Sequence, residues 1–306
     1  MRKSFKIGLA LGGGAARAMA QIGVIEALER HRIPIDIITG TSMGAIIGSI
    51  YAVHPDVSAL KERVFAYLDS EEFRASKFDF MVEKDIFEGQ GLLPRFTNLA
   101  RKGFFYTRSM TRRAFVPEEI ARNNFEFLVD DLTIEDTRIP FAATALDLIS
   151  GEEVQLASGR LREAIAATCA LPGILHPVYL NGRVLVDGGW INAVPVEPAY
   201  RMGADFVIAV DVSNTIRAYE EPENALEIIF RADAITRYAL SEIQIEKADI
   251  VLRPDVKKTH WADFSETAEL IRKGVAAVDS QILQIRKGIA HHRMKTFLGL
   301  GRRGSG

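Results

Sequence analysis

A serine able to act as a nucleophile stands at the centre of Gly40-Thr41-Ser42-Met43-Gly44. The pentapeptide has the G-x-S-x-G form. It follows a short apolar run, Ile35-Asp36-Ile37-Ile38, and opens a second one at residues 45–51. Strand, sharp turn and helix is the setting of a nucleophile elbow. Gly40 and Gly44 would let the backbone double back, with Thr41 and Met43 beside the serine. The Ser42 hydroxyl would then stand clear over a helix N-terminus, where the helix dipole favours developing negative charge. The same residues also suit an ordinary helix N-cap, for which Thr41 or Ser42 would serve.

Acyl transfer at a serine needs donors for an oxyanion and an acceptor for the serine proton. Gly12-Gly13-Gly14 lies one β-α-β unit before Ser42. Parallel neighbouring strands would bring both loops to the same carboxyl edge, where open α/β sheets bind ligands. Glycines let backbone N–H groups approach a ligand unobstructed, so Gly12, Gly13 and Gly14 are the expected oxyanion donors. Arg17, one turn into the next helix, would support that loop or attract an anionic head group.

The proton acceptor has two candidates. Of the six histidines, His260 is the one placed where a Ser-Asp-His chain order wants it, yet Lys257, Lys258, Thr259 and Trp261 around it read as an exposed loop. Asp187 ends the apolar run 183–186 and precedes Gly188 and Gly189, which allow a sharp turn and the close approach of another loop. Taken alone, Asp-Gly is also an ordinary turn. An aspartate at its ordinary pKa of about 3.9 is a poor base for a serine hydroxyl. It can serve only if desolvated and hydrogen-bonded to the serine, so Asp187 is expected to be buried, with a raised pKa.

A dinucleotide-binding reading competes. Gly12-x-Gly14 is present, and Asp36 falls roughly 20 residues on, where a ribose-binding acid would lie. The third position of G-x-G-x-x-G is Arg17, however, and this reading leaves residues 40–44 without a purpose. No Walker A lysine follows either glycine-rich loop. No cluster of metal-ligating residues stands out, and neither metal nor cofactor is expected. Cys169 lies in an Ala-rich apolar stretch and reads as core rather than nucleophile.

The elements that must position these groups can be traced along the chain. Residues 5–11 form a short apolar strand and 15–30 a helical pattern broken at Pro34. Residues from about 55 to 130 lose that regularity and read as a helical cap. Strands resume at 139–146 and 153–156, joined through Ser150-Gly151, and a helix follows at 161–168. Asn181-Gly182 between 179–180 and 183–186 is a strong two-residue hairpin signal. The continuous apolar run 206–210 reads as a buried parallel strand. A long helix at 225–246, a strand at 250–252 closed by Pro254, and a helix at 265–285 complete the pattern. The expected fold is α/β, a mostly parallel central sheet flanked by helices. It forms one domain over residues 5–290, with a basic flexible tail at 291–306.

Composition narrows the classes. About half of the 306 residues are apolar, and the net charge of −2 gives no reason to expect nucleic acid. A single cysteine excludes an intrachain disulfide and suits a reducing, cytoplasmic location. No apolar run reaches the ~20 residues of a spanning helix. Arg2 and Lys3, the run 7–11 and Ala18-Met19-Ala20 imitate a secretory signal, but the glycine triplet and Arg17 interrupt it. In the cap, Leu92, Leu93, Phe96, Phe104, Phe105 and Tyr106 interleave with Arg95, Arg101, Lys102 and Arg108. Such a mixture suits either transient contact with an anionic lipid surface or aromatics packed inward beneath solvated cations.

The glycine-rich loop, G-x-S-x-G and Asp-Gly-Gly, in that order, resemble the patatin-like phospholipase family. Residues 167–173, 192–196, 203–205, 249–254 and 263–265 are similar to its bacterial single-domain members, so the resemblance covers about 5–290. It implies a three-layer patatin-like fold and a Ser-Asp dyad without a catalytic histidine, acting on phospholipid or lysophospholipid esters. Ser42 matches the nucleophile, Asp187 the dyad acid, and Gly12, Gly13 and Gly14 the oxyanion loop. Ala18 stands where the family often has glycine, and Gln21 where histidine is frequent. The alternative is a regulatory or scaffold protein that keeps the fold with little turnover.

Overall fold

The strand β1 (Ile7–Leu11) is buried along its whole length. A strand apolar on both faces must be covered on both, and this requirement sets the architecture. The protein, seen in a computed structural model describing residues 4–76, 114–213, 221–222 and 224–298, is a mixed α/β three-layer fold. From β1 the chain passes through a short 3-10 helix (Ala15–Met19), α1 (Ala20–Arg30), β2 (Ile37–Gly40) and α2 (Met43–Val53). Then come α3 (Val57–Leu68), α4 (Glu71–Ala75), α5 (Glu118–Leu128), β3 (Phe141–Asp147), β4 (Glu153–Leu156) and α6 (Leu161–Cys169). The remainder is β5 (Val178–Leu180), β6 (Arg183–Asp187), α7 (Val196–Arg201), β7 (Phe206–Val210), α8 (Ala225–Ile245), β8 (Ile250–Leu252) and α9 (Thr267–Phe297).

The strand order is β5-β6-β3-β2-β1-β7-β8, with β4 also paired to β3. From β3 across to β8 the strands are parallel, while β4, β5 and β6 add an antiparallel margin. Ile7, Leu9 and Leu11 of β1 face a large core shared with α1, α2, α3, α6 and α9. The alternate residue Ala10 faces a smaller core with Ala199 of α7 and Ile245 of α8. The hairpin at Asn181-Gly182 has both residues at positive φ, 50° and 77°, as a type I′ turn demands.

From the stretch expected to be a cap, α3, α4 and α5 send Leu60, Val64, Tyr67, Phe73 and Leu128 into the main core. The aromatic and basic residues between 92 and 108 lie outside the described residues.

Two boundaries differ from expectation. The helix expected from residue 15 starts as a 3-10 turn, with Ala15 at φ 46°, because the chain must first turn sharply out of the glycine loop. The last helix runs past 285, and past the expected tail boundary at 291, to Phe297. Ile285 and Ile289 keep it on the core, Gly288 admits the Phe206 ring, and His292 stacks edge-on against that ring at 5.3 Å.

α1 and α9 cross at closest backbone contact. A Cβ on Gly23 would lie 1.8 Å from the Ile271 carbonyl oxygen, and one on Gly274 would lie 1.8 Å from that of Ala20. Neither helix can carry a larger residue there without separating from the other. Gly274→Ala should therefore destabilise the fold by about 1–3 kcal/mol, the usual cost of overpacking. A urea titration monitored by circular dichroism reads this directly, and an unchanged midpoint would show that the crossing is loose.

Candidate active site

The elbow is built by backbone approach. Ser42 has φ 53° and ψ −127°, a conformation that a non-glycine residue holds only under constraint. A Cβ on Gly40 would sit 2.5 Å from the Ala45 Cα, and one on Gly44 would sit 2.4 Å from the Leu11 carbonyl oxygen. Both glycines are required by space. The Ser42 amide donates to Thr168 Oγ1 at 3.0 Å, and that hydroxyl donates in turn to the Thr144 carbonyl at 2.5 Å. Thr168, in the last turn of α6, therefore braces the strained residue. Only its place in an apolar helix ending before Leu171-Pro172-Gly173 could have drawn attention to it.

Strand register brings the remaining parts to the same level. Leu11 pairs with Gly40 and Gly40 with Ala143. Two residues further along β3, Ala145 pairs with Asp187. Asp187 thus ends β6 beside the elbow although β6 runs antiparallel to β3. Gly188 fits because its missing side chain would otherwise lie 2.2 Å from the Thr144 carbonyl oxygen. The Gly189 amide donates to Asp187 Oδ1 at 2.7 Å.

Asp187 is 2% exposed. Burial raises its pKa to about 6, against opposing contributions from a hydrogen bond with the Ser42 side chain, the Gly189 amide and the charge of Arg237. The Arg237 guanidinium lies 4.6 Å from the centre of the Trp190 ring, and its Nε donates to Asp233 Oδ2 at 2.7 Å. Arg237 is fifty residues from Asp187 on α8, and nothing in the sequence pointed to it. Burial, foremost, and the nearby Asp187 charge push the Cys169 thiol well up, with a hydrogen bond to Ser42 in opposition. The thiol is a neutral neighbour of the serine.

The glycine loop requires a correction. The Gly12 amide donates to the Val210 carbonyl at 3.0 Å, and the Gly13 amide to that of Ala193 at 2.9 Å. Neither points at a ligand. These bonds secure the loop across the ends of β1 and β7, and buried Gln21 holds it from behind, its Nε2 donating to the Gly12 carbonyl at 2.6 Å. The amides of Gly14 and Ala15 find no acceptor among the described residues, and neither does that of Met43, in the unbonded first turn of α2. Met43 follows Ser42 directly, and the loop comes up to the half-buried serine at Gly13, whose Cβ would be 3.4 Å from that of Ser42. Within the triplet, only Gly14 retains an amide available for an oxyanion.

Arg17 is buried and its Nε donates to the Thr259 carbonyl at 2.8 Å. It fastens the loop to the 259–261 segment, as the Ala16 amide does through the Trp261 carbonyl. His260 Nδ1 accepts from the Ala262 amide, and no interaction described for Ser42 or Asp187 involves it. Asp36 accepts from the Ile7 amide at the opposite, amino edge of the sheet, which removes the dinucleotide reading. Among the described residues no group of three His, Cys, Asp or Glu side chains could hold a metal ion, and no helix is long and apolar enough to cross a membrane.

The family model for patatin-like phospholipases matches residues 9–200. Lysophospholipase nte1 of Emericella nidulans is 29% identical over 296 residues, covering 88% of this chain and 18% of that protein. Its counterpart in Aspergillus niger is 33% identical over the same length and shares. The chain thus spans less than a fifth of the curated relatives it matches. Among solved structures, VipD from Legionella pneumophila aligns with 94% of this chain and 67% of its own, at a TM-score of 0.48 and 14% identity. With more than half of its length matched by one family model, the chain belongs to the patatin-like phospholipase family.

Proposed function

We propose that residues 5–290 form one catalytic unit that hydrolyses lipid carboxyl esters, of phospholipid or lysophospholipid type, through Ser42 and Asp187. The observation that carries this reading is the buried carboxylate of Asp187, raised to about 6 by burial, at a strand end that the sheet register sets beside the elbow, with the Ser42 side chain among the groups acting on it. At neutral pH it is ionised, yet basic enough to take a proton in a transition state. The curated relatives named lysophospholipase support the substrate class. Transient contact with a lipid surface belongs to the same reading.

Ser42 Oγ attacks the ester carbonyl as its proton passes to Asp187. The oxyanion is received by the amides of Gly14, Ala15 and Met43, at the positive end of α2. Asp187 returns the proton to the leaving alcohol, then deprotonates the water that attacks the acyl-enzyme and passes that proton to Ser42 Oγ as its bond to the acyl carbon breaks. The strained backbone at Ser42 keeps the hydroxyl aimed through both halves of the cycle. Trp190 and Arg237, beside the acid, place a cation near the site, consistent with a substrate carrying a phosphate.

A fluorophosphonate probe should label the protein, and Ser42→Ala should abolish labelling. Asp187→Asn should lower kcat by roughly 10²–10⁴-fold, the range typical of general-base loss, while His260→Ala should retain most activity. Loss of activity in His260→Ala with retention in Asp187→Asn would replace the dyad by a triad.

The raised carboxylate also sets two pH dependences. Activity with a soluble ester should rise with pH through an apparent pKa of about 6, as Asp187 ionises. Stability should run the other way. The folded state holds the Asp187 proton more tightly than the unfolded chain, whose value is 3.8, so this contribution is complete below 3.8 and lost as pH rises through about 6. Above that, the ionised carboxylate costs the fold on the order of 2–3 kcal/mol. Asp187→Asn should therefore melt higher than the parent at pH 8 and no higher at pH 4, by differential scanning calorimetry.

A further inference from the structure

Thr168 and Ala170, two residues apart where α6 ends, each hold one member of the proposed dyad. The Ser42 amide donates to Thr168 Oγ1 at 3.0 Å, and the Asp187 amide donates to the Ala170 carbonyl at 3.0 Å. Both contacts are to the backbone of the reacting residue itself rather than to a neighbour. Thr168 is fully buried and Ala170 nearly so. A third contact joins this turn to β3, where the Thr168 hydroxyl donates to the Thr144 carbonyl at 2.5 Å. Gly188 packs against that same carbonyl, and Ala145, the next residue, pairs with Asp187. The end of α6 and residues 144–145 thus form one frame that touches both Ser42 and Asp187.

The position of Thr168 is specific to a hydroxyl. The Thr144 carbonyl can only accept and the Ser42 amide can only donate, so the group between them must do both. Ser42 is at φ 53°, a conformation that relaxes unless its surroundings hold it. The peptide joining Thr41 to Ser42 is held at its carbonyl by the Gly44 amide, at 3.0 Å, and at its amide by Thr168. Without the hydroxyl the amide side of that peptide is free to turn, and the serine oxygen swings with it. We infer, resting on the hydrolytic reading of Ser42 and Asp187, that Thr168 is a positioning residue, its hydroxyl tying Ser42 to the turn that ties Asp187 and so setting the gap across which the proton passes. Its effect falls on the chemical step rather than on substrate affinity, since a displacement of about 1 Å can cost about 10²-fold in rate.

Steady-state kinetics on a soluble p-nitrophenyl ester, with rates taken per fluorophosphonate-reactive site, test the assignment. Thr168→Val, which keeps the shape and loses the hydroxyl, should lower kcat by roughly 10–10²-fold and leave KM nearly unchanged. Thr168→Ala and Thr168→Ser both lose the methyl, and only the second keeps the hydroxyl. Thr168→Ala should be as slow as Thr168→Val, and Thr168→Ser should retain most of the parent rate. If Thr168→Val fails to fold by circular dichroism, the Thr168→Ala and Thr168→Ser pair carries the comparison. Exchange of the Ser42 amide, followed by NMR, should quicken roughly tenfold or more in Thr168→Ala but not in Thr168→Ser. A parental kcat per site in Thr168→Ala would overturn the proposal, since the hydroxyl would then serve stability alone. So would a loss in Thr168→Ser as large as in Thr168→Ala, a change confined to KM, or equal amide exchange in the two. A parent that hydrolyses no ester and takes up no probe would end the hydrolytic reading instead, and the exchange comparison would still decide whether Thr168 holds the serine.

Discussion

Three backbone carbonyls just beyond Asp187 connect the two halves of the proposed dyad. Asn192 accepts from the Thr41 hydroxyl, Ala193 from the Gly13 amide and Pro195 from the Thr39 hydroxyl. A segment more than 150 residues later in the chain is thereby docked across the ends of β1 and β2. All of these polar groups are buried or half-buried, where an unmade hydrogen bond costs about 1–3 kcal/mol. Once the segment is seated, Gly188 lies against β3 and Asp187 is delivered beside the elbow. Asp187, already aligned by its pairing with β3, is thereby held beside the elbow from its downstream side as well.

Burial has opposite effects on stability and reactivity at this point. The fold excludes water from a carboxylate and gives it a hydrogen bond from the Gly189 amide, and among the described residues no full ion pair. A closer cation would make Asp187 cheaper to bury and useless as a base. Arg237 is held off by Asp233 and by the face of Trp190, so its influence is felt as a field and the carboxylate keeps a value near 6. Such conflict between local stability and chemistry is the usual mark of a working site.

Much of this was legible in the residues. The apolar runs at 206–210 and 250–252 became strands with those boundaries because continuous β-branched sequence between turn signals has few other uses. Asn181-Gly182 specified its hairpin because few other dipeptides accept positive φ twice. The elbow and the acid were legible through their glycines, whose purpose is steric. The identity of the free amides was not. Whether Gly12 or Gly14 offers its N–H depends on carbonyls contributed by Val210 and Ala193, and no local pattern encodes them. Arg237 escaped for the same reason, since a single cation on a long helix carries no periodic signature. The last helix was read too short because residues 286–296 are mostly polar, and contact with Phe206 rather than hydropathy keeps them helical.

The glycine crossing of α1 and α9 bears on the order in which the molecule can be assembled. Ser42 belongs to the unit formed by β1, α1 and β2, which precedes α9 in the chain and looks locally self-sufficient. Yet the groove at Gly23 is filled by a helix that begins at Thr267. Until then α1 must keep an apolar flank uncovered during synthesis, a long-range dependence of the kind that slows folding and invites chaperone capture. Ser42 is thus made well before the helix that closes over α1, so a chain lacking α9 would carry the serine beside an α1 that is still uncovered.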